Sequence, residues 1–382
     1  MNRPSVAPRI LVIHCPAGGG HKAAAIAVAE AAARRRAEVT VLDAFGLTPR
    51  WFGKTYVAMH LNSTERAPWA YGVGYHRLNR THPVGDQVRR GIDGALGKRL
   101  LEHVASRRPD AIIATHFFPL SVLGRARLAG QLDAPLLGVI TDYAAHAFWS
   151  EPGVDRYCVA RGGPADDLQR CGTPLTAISE TGIPIKPAFG RACPLDREAL
   201  DGPLRVLITS GGFGVGPMAD TIRSFSGFDR IELTIVCGNN PERTREAERA
   251  ARMTQLPWRV IGFERDMPAR VAEAHVVVGK PGGLTASECL AAGRPMVLVG
   301  TCPGQEKHNE DWLCVNGAAV SSSARKAGHH VQWLRRTHQL LTMAQAARQI
   351  AAPDAADRVL DAAYEEMQRL TQAHTPGEQL SA

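Results

Sequence analysis

The sequence predicts an α/β protein made of two Rossmann-like domains that face each other across a cleft. A short apolar strand runs into a glycine-rich loop and a helix at residues 9–36, and the same pattern recurs at residues 204–223. A further strand and glycine turn follow at residues 274–283. With 382 residues, 45% hydrophobic and 21% charged, the chain has the length and composition of a two-domain globular protein.

The first unit has the order of a doubly wound sheet: strand, loop, an alanine-rich helix over residues 22–36, and a second strand. Its loop has neither the G-x-G-x-x-G order nor G-K-[ST], so the sequence disfavours a nicotinamide site and a P-loop. The chain is expected to divide into an N-terminal domain, a C-terminal domain, and a final helix with a disordered tail, at residues 1–185, 186–350 and 351–382.

Residues 44–98 interrupt the α/β pattern, and their prolines and glycines predict an irregular insertion with short helices. The net charge of +8 is concentrated here, because residues 50–108 hold 11 basic and 4 acidic residues. Six aromatic residues lie in the same segment: Trp51, Phe52, Tyr56, Trp69, Tyr71 and Tyr75. This composition suits an anionic membrane surface or nucleic acid, and the alternative is a solvated basic face over partly buried aromatics.

The cellular compartment can be inferred from three features that the sequence does not have: a membrane span, a secretory signal and paired cysteines. No apolar run reaches the roughly 18 residues of a membrane span, and residues 1–10 have no secretory h-region. The eight cysteines form no C-x-x-C pair, which favours reduced thiols over a zinc site or a disulfide framework. We therefore expect a cytoplasmic protein.

Polar side chains follow the ends of several predicted strands in the N-terminal half. His21, His116, Asp142 and His146 all lie just after such strands. Ligands of open parallel sheets bind outside the carboxyl ends of the strands, so these residues are candidates for a site. Each of them could instead be a helix cap or a histidine satisfied within the core.

The stretch at residues 274–292 reads as a buried strand, a glycine turn and a helix. A helix that begins on glycines presents unpaired N–H groups and a positive dipole end to an anion. Glu288 lies one turn into this helix, within reach of sugar hydroxyls, and Gln305 with Glu306 could serve a second set of hydroxyls. The pattern indicates a nucleoside diphosphate joined to a hydroxylated group, although an ordinary strand-to-helix turn has the same outline.

Three motifs in combination resemble one family. They are G-G-G-H-x-x-A-A at residues 18–25, T-D-x-x-x-H-x-x-W at 141–149, and K-P-G-G-L-T-x-S-E at 280–288 followed by P-G-Q-E-x-x-N at 303–309. Over roughly residues 8–345 the chain resembles the monogalactosyldiacylglycerol synthase and processive diacylglycerol glucosyltransferase family, within glycosyltransferase family 28. It is more distantly similar to the N-acetylglucosaminyltransferase that makes lipid II.

The resemblance implies a GT-B fold, a UDP-sugar donor on the C-terminal domain, and a lipid acceptor on the N-terminal domain. It implies inversion at the anomeric carbon, no cofactor and no metal, because helix dipoles and backbone amides offset the diphosphate charge. It also favours the membrane interpretation of residues 50–108 over nucleic acid, and so a peripheral protein on the inner face of the cell membrane.

The resemblance also assigns roles by position. His21 is the expected base for the acceptor hydroxyl, since a histidine suits proton transfer near neutral pH, and Asp142 is the alternative. His21 could instead bind phosphate or order its loop. The acceptor side is expected to include His116, His146 and Trp149. The donor side comprises Gly20, Gly212, Phe213, Phe263, Gly282, Gly283, Leu284, Thr285, Glu288, Gln305, Glu306 and Asn309.

Two other functions remain open at this stage. The same fold could act on a polyprenyl-linked or soluble acceptor, or it could be a non-catalytic UDP-sugar sensor. The sequence does not distinguish glucose, galactose and N-acetylglucosamine as the transferred sugar.

Overall fold

The protein forms two α/β domains, each with a six-stranded parallel sheet. A computed structural model describes residues 7–80, 83–211 and 216–374. The strand order is β2-β1-β3-β4-β5-β6 in the N-terminal sheet and β12-β11-β10-β7-β8-β9 in the C-terminal sheet. The strands are β1 Arg9–His14, β2 Glu38–Asp43, β3 Ala111–Ala114, β4 Leu136–Val139, β5 Arg156–Val159, β6 Ile178–Glu180, β7 Leu204–Thr209, β8 Ile231–Val236, β9 Trp258–Ile261, β10 Val276–Gly279, β11 Met296–Leu298 and β12 Ala319–Ser321.

Helices cover both faces of the two sheets, which is why the central strands are continuous apolar runs rather than alternating ones. In β1, for example, Ile10 to Ile13 are all buried. The helices are α1 Gly19–Arg34, α2 Arg50–Arg66, α3 Pro68–Leu78, α4 Pro83–Leu96, α5 Lys98–Arg107, α6 Phe117–Leu128, α7 Gly163–Arg170, α8 Met218–Arg223, α9 Pro241–Arg252, α10 Met267–Glu273, α11 Gly283–Ala292, α12 Gln305–Val315, α13 Ala327–Arg336, α14 Gln339–Ile350 and α15 Ala355–His374. The predicted fold class is confirmed.

The segment between β2 and β3 is more regular than expected. In place of an irregular insertion with short helices, residues 50–96 form the three helices α2 to α4. The prolines that suggested irregularity mark helix starts, since Pro68 and Pro83 are the first residues of α3 and α4 and Pro49 caps α2. Proline is well tolerated in a first turn, where its missing N–H would have no partner in the helix.

The last helix returns to the N-terminal domain. Ala356, Val359 and Leu360 of α15 are buried in the same cluster as α1 and the N-terminal sheet. Arg156 on β5 forms an ion pair with the buried carboxylate of Glu366 at 2.5 Å. The chain therefore crosses between the domains twice, once after β6 and once before α15, and both crossings lie beside the interface.

Candidate active site

The two glycine loops expected to form the site meet at the domain interface. A Cβ added at Gly20 in the N-terminal domain would lie 3.6 Å from Cβ of Leu284 in the other domain. A Cβ added at Gly283 would overlap the carbonyl oxygen of Thr141. Glycine is thus required where α11 begins, because its first turn packs directly against the chain that follows β4.

His21 lies in the first turn of α1 and is held by the ends of β3 and β4. Its Nδ1 lies 2.6 Å from the Thr115 carbonyl oxygen and 3.1 Å from Oγ1 of Thr141. A carbonyl oxygen can only accept, so Nδ1 carries the proton and a neutral ring has its lone pair on Nε2. Thr115 Oγ1 also donates to the backbone carbonyl of His21 at 2.9 Å. The ring orientation and the tautomer are therefore both fixed by the N-terminal domain.

Asp142 joins the two domains at the start of α11. Asn309 of α12 donates from Nδ2 to Oδ1 of Asp142 at 2.9 Å, and the backbone N–H of Gly283 also binds this carboxylate. Asn309 is fully buried, and its amide also accepts from the N–H of Tyr143 and donates to the Pro281 carbonyl oxygen. One asparagine of the C-terminal domain thus holds the segment that carries Asp142.

The environment of Asp142 raises its pKa to about 7. Burial is the largest cause, and the nearby negative charge of Glu306 adds to it. The hydrogen bonds from Asn309 and Gly283 act in the opposite direction. The carboxyl group can consequently gain or lose a proton near neutral pH, which is the range that acid–base catalysis uses.

Glu288 lies on α11, four residues after Leu284. Burial raises the pKa of its carboxyl to about 8, and the positive charge of Lys186 partly offsets this. Lys186 also forms a 3.5 Å ion pair with Glu30 of α1. Lys186 lies between β6 and β7 and precedes Pro187, outside every motif, so nothing in the sequence indicated that its charge would act on Glu288.

The loop before α12 is held by its own acidic residue. Glu306 accepts from the N–H of Cys302 at 2.8 Å and pairs with Nζ of Lys280 at 2.9 Å. Gln305, the first residue of α12, accepts a 2.8 Å hydrogen bond from the hydroxyl of Tyr71 on α3. Lys280 and Tyr71 are therefore two further residues at this site whose role the motifs alone did not reveal.

Two family models match the chain, one in each domain. The monogalactosyldiacylglycerol (MGDG) synthase family matches residues 21–185, and the glycosyltransferase family 28 C-terminal domain matches residues 207–359. The chain belongs to this glycosyltransferase family.

Curated relatives match along almost the whole chain. A protein of Bacillus cytotoxicus named processive diacylglycerol beta-glucosyltransferase is 26% identical, over 97% of this chain and 96% of the relative. One of the same name from Bacillus thuringiensis is 25% identical, over 94% of both chains.

Solved structures confirm the GT-B fold of the glycosyltransferase. MurG of Acinetobacter baumannii superimposes with a TM-score of 0.61 at 17% identity, covering 94% of this chain and 99% of MurG. MnaA of S. aureus, solved with UDP, gives 0.60 at 12% identity, covering 98% of this chain and 100% of MnaA. At these identities the likeness extends to the fold alone.

The residues predicted for the acceptor side of the glycosyltransferase are largely packed inside the N-terminal domain. His116 caps α6 by accepting from the N–H of Phe118 at 3.1 Å, and its ring stacks on Phe117. His146 accepts from the N–H of Phe148 and lies 3.2 Å from the carbonyl oxygen of Tyr75, and burial lowers its pKa to about 4. Trp149 is buried in the domain core. Their acceptor roles stay predictions.

The other residues predicted for the donor side lie outside the described residues, after β9 or at the start of α11. Gly212 and Phe213 lie outside the described residues. Phe263, at the end of β9, exposes 57% of its surface, and Gly282 caps the start of α11. Thr285 follows in the first turn of that helix and is half-buried. Gly282 and Thr285 therefore flank Gly283 and Leu284, the two residues that contact the N-terminal domain.

A cavity lies elsewhere along the interface between the domains. It has a volume of about 270 Å³ and lies behind the stacked rings of Tyr143 and Trp312, whose centroids are 4.1 Å apart. Its lining includes Ser287 and Leu290 of α11 but none of the predicted site residues. Among the described residues, no group of three or more His, Cys, Asp or Glu side chains could hold a metal ion. Metal independence stays a prediction.

Proposed function

We propose that this glycosyltransferase moves a hexose from a UDP-sugar to a hydroxyl of diacylglycerol or glycosyl-diacylglycerol at a membrane surface. The observation that carries the proposal is the contact between the His21 loop and the start of α11 across the domain interface. It joins a candidate base to a candidate phosphate site, in a chain whose curated relatives are named diacylglycerol glucosyltransferases.

The donor is assigned to the C-terminal side of this contact. The N–H groups and the positive dipole end at the start of α11 suit the diphosphate, and Glu288 suits the ribose hydroxyls. Phe263 is proposed to lie beside the uracil, and Gln305, Glu306 and Asn309 near the sugar. In the structure Asp142 accepts from the N–H of Gly283, as a carboxylate does at a helix start. The α11 dipole and Lys280 supply positive charge, so the proposed reaction uses no metal and no cofactor.

The proposed chemistry is a single displacement with inversion. The acceptor hydroxyl oxygen attacks the anomeric carbon from the face opposite UDP, the bond from that carbon to the diphosphate oxygen breaks, and UDP leaves. Nε2 of His21 takes the hydroxyl proton, because Nδ1–H is already bound to the Thr115 carbonyl oxygen. Asp142 is the alternative base, since its pKa of about 7 permits the same role.

The acceptor is proposed to arrive from an anionic membrane through residues 50–108. Val84, Val88 and Ile92 are exposed and form one stripe on α4, at a spacing of four residues. Trp69 and Val73 form a similar exposed pair on α3. Exposed cations lie in the same segment, on or next to α2, α3 and α5: Lys54, Arg77, Arg80, Lys98 and Arg99. Exposed apolar side chains together with cations suit an interface of anionic lipid, and nucleic acid is not proposed as a partner.

None of the helices in the described residues is both long and apolar enough to cross a membrane. We propose peripheral attachment to the inner face of the cell membrane.

A donor and acceptor screen tests the function. The enzyme is incubated with UDP-glucose, UDP-galactose or UDP-N-acetylglucosamine and with vesicles that contain diacylglycerol and anionic lipid. We expect a glycosyl-diacylglycerol, detected by mass spectrometry of the lipid fraction. Transfer to a polyprenyl-linked or soluble acceptor instead would replace the lipid assignment, and binding of UDP-sugar with no transfer to any acceptor would favour a non-catalytic sensor.

A further inference from the structure

Helix α3 has an exposed outer face and an inner face that contacts the other domain. On the inner side, the hydroxyl of Tyr71 donates a 2.8 Å hydrogen bond to Oε1 of Gln305. A Cβ added at Gly72 would overlap Pro303, so the helix backbone lies directly against the loop before α12. Gly304, at φ +107°, lets the loop approach the tyrosine rings of α3. The acceptor domain thus packs on the loop that carries Gln305.

The hydrogen bond fixes the orientation of the Gln305 amide. Burial raises the pKa of Tyr71 well above its ordinary value, so the phenol keeps its proton and donates. A glutamine amide has one acceptor oxygen and two N–H donors on its nitrogen. Because the oxygen is held by Tyr71, the direction of the Nε2 hydrogens of Gln305 is fixed as well.

We propose that Tyr71 is a positioning residue for the donor sugar, acting from the acceptor domain by fixing the Gln305 amide so that its N–H groups meet a hexose hydroxyl. The inference rests on the proposed UDP-sugar donor and deepens it. The sugar part of the donor site is complete only when α3 lies against the loop before α12. The UDP part, on α11, does not require Tyr71.

If Tyr71 has this role, its loss should weaken the binding of UDP-hexose but not the binding of UDP. Loss of the Tyr71 hydroxyl leaves Gln305 able to rotate, so the hexose loses a pre-oriented donor while the nucleotide keeps all its contacts. A merely structural role for Tyr71 would instead weaken UDP and UDP-hexose alike. The comparison of these two ligands therefore separates positioning from general support of the fold.

The test is titration calorimetry of the full chain with UDP, UDP-glucose and UDP-galactose. For Tyr71→Phe we expect affinity for the better-bound UDP-hexose to fall roughly 3- to 10-fold, the effect of one hydrogen bond, with UDP affinity unchanged. Tyr364→Phe is the matched control, since Tyr364 lies on α15, packs against the cluster of α1 and the N-terminal sheet, and loses the same hydroxyl. It should bind both ligands as the wild type does.

Two further comparisons test whether Tyr71 affects hexose binding through Gln305. In a double-mutant cycle, Tyr71→Phe should cost no further hexose affinity once Gln305→Ala is present. Gly72→Ala should weaken hexose binding because the new methyl group pushes α3 off Pro303. Gly74→Ala on the same helix should not, because its Cβ meets no described atom within 4 Å.

Equal weakening of UDP and UDP-hexose in Tyr71→Phe, or full additivity with Gln305→Ala, would overturn the proposal. Equal affinity of the wild type for UDP-hexose and UDP would also overturn the proposal. The hexose would then make no contact whose geometry Tyr71 could fix. These titrations need no acceptor. Failure to glycosylate diacylglycerol would therefore count against the proposed function and not against the role of Tyr71.

Discussion

His21 is the residue on which the proposed chemistry depends most directly. Its Nδ1–H is bound to the Thr115 carbonyl oxygen, which leaves Nε2 as the atom able to take a proton. We expect His21→Ala to lower kcat by about 10²- to 10⁴-fold, the usual contribution of a general base, with little change in UDP-sugar affinity. Steady-state kinetics and calorimetry measure the two quantities.

The control for this change is His338→Asn, because His338 is exposed and its left-handed backbone also suits asparagine. If His21→Ala kept wild-type kcat while Asp142→Asn lost it, the base would be Asp142. In that case the wild-type rate should rise with pH through about 7, as the Asp142 carboxyl loses its proton.

Glu288 illustrates a conflict between stability and binding at the residue scale. Its pKa is raised to about 8, so the folded protein favours the neutral acid while the unfolded chain ionises near roughly pH 4.3. Stability therefore falls as pH rises between those two values. We expect Glu288→Gln to raise the melting temperature, by an amount that grows from about pH 5 to pH 8, and to weaken UDP binding.

Differential scanning fluorimetry across that pH range measures the difference in melting temperature. A difference that did not change with pH would mean that the Glu288 carboxyl is not destabilised by burial. Unchanged UDP affinity in the same variant would remove the ribose assignment.

At the scale of elements, α4 is the helix that best tests membrane attachment. Arg89 and Arg90 on its inner side bind the buried carboxylate of Glu151, which fixes the helix with Val84, Val88 and Ile92 outward. We expect Val88→Glu to lower binding to anionic vesicles about tenfold, since a charge replaces an apolar contact with lipid. Vesicle co-sedimentation measures the loss.

The control is Val315→Glu, at an exposed valine on the C-terminal domain outside the segment. Equal vesicle binding by Val88→Glu and the wild type would contradict the assignment of this face. UDP affinity should stay constant in both variants, because neither valine is among the residues proposed to bind the donor.

Some secondary-structure elements could be predicted from the sequence and others could not. The strands and the glycine turns were predictable, because apolar runs before glycines have few alternatives. The helices of residues 50–96 were underestimated, because proline at a helix start was interpreted as a break. The edge strands β6 and β12 were missed, since three-residue strands carry too little periodicity.

At the site, sequence motifs predicted residues but not their contacts. Asn309 was predicted to touch the sugar, and no motif indicated that its amide also binds Asp142, Tyr143 and Pro281. Tyr71 was recognised only as one aromatic in a basic segment. Both roles depend on how the two domains pack together, which no local pattern in either domain reveals.

For the whole molecule, Asn309 is the residue that most directly connects the domains. Replacing it with alanine removes its hydrogen bonds to Asp142, to the Tyr143 N–H and to the Pro281 carbonyl oxygen, while Asp142 keeps the Gly283 N–H. We expect Asn309→Ala to reduce the free energy of unfolding by about 1–3 kcal/mol for each unsatisfied group. The pKa of Asp142 should also rise, because the lost hydrogen bond lowers it in the wild type.

Calorimetric unfolding measures the loss of stability. Asn316→Ala is the control, since Asn316 ends the same helix and bonds only locally, to the Trp312 carbonyl oxygen among the described residues. If both variants unfolded alike, Asn309 would not connect the domains energetically.

We propose that the enzyme transfers a hexose from a UDP-sugar to diacylglycerol with inversion at the anomeric carbon. NMR of the glycolipid made by the wild type from UDP-α-glucose or UDP-α-galactose and diacylglycerol vesicles tests it most directly, with His21→Ala as the matched reaction. We expect a β-linked glycosyl-diacylglycerol from the wild type and little product from the variant. An α-linked product, or no lipid product with any of these donors, would contradict it.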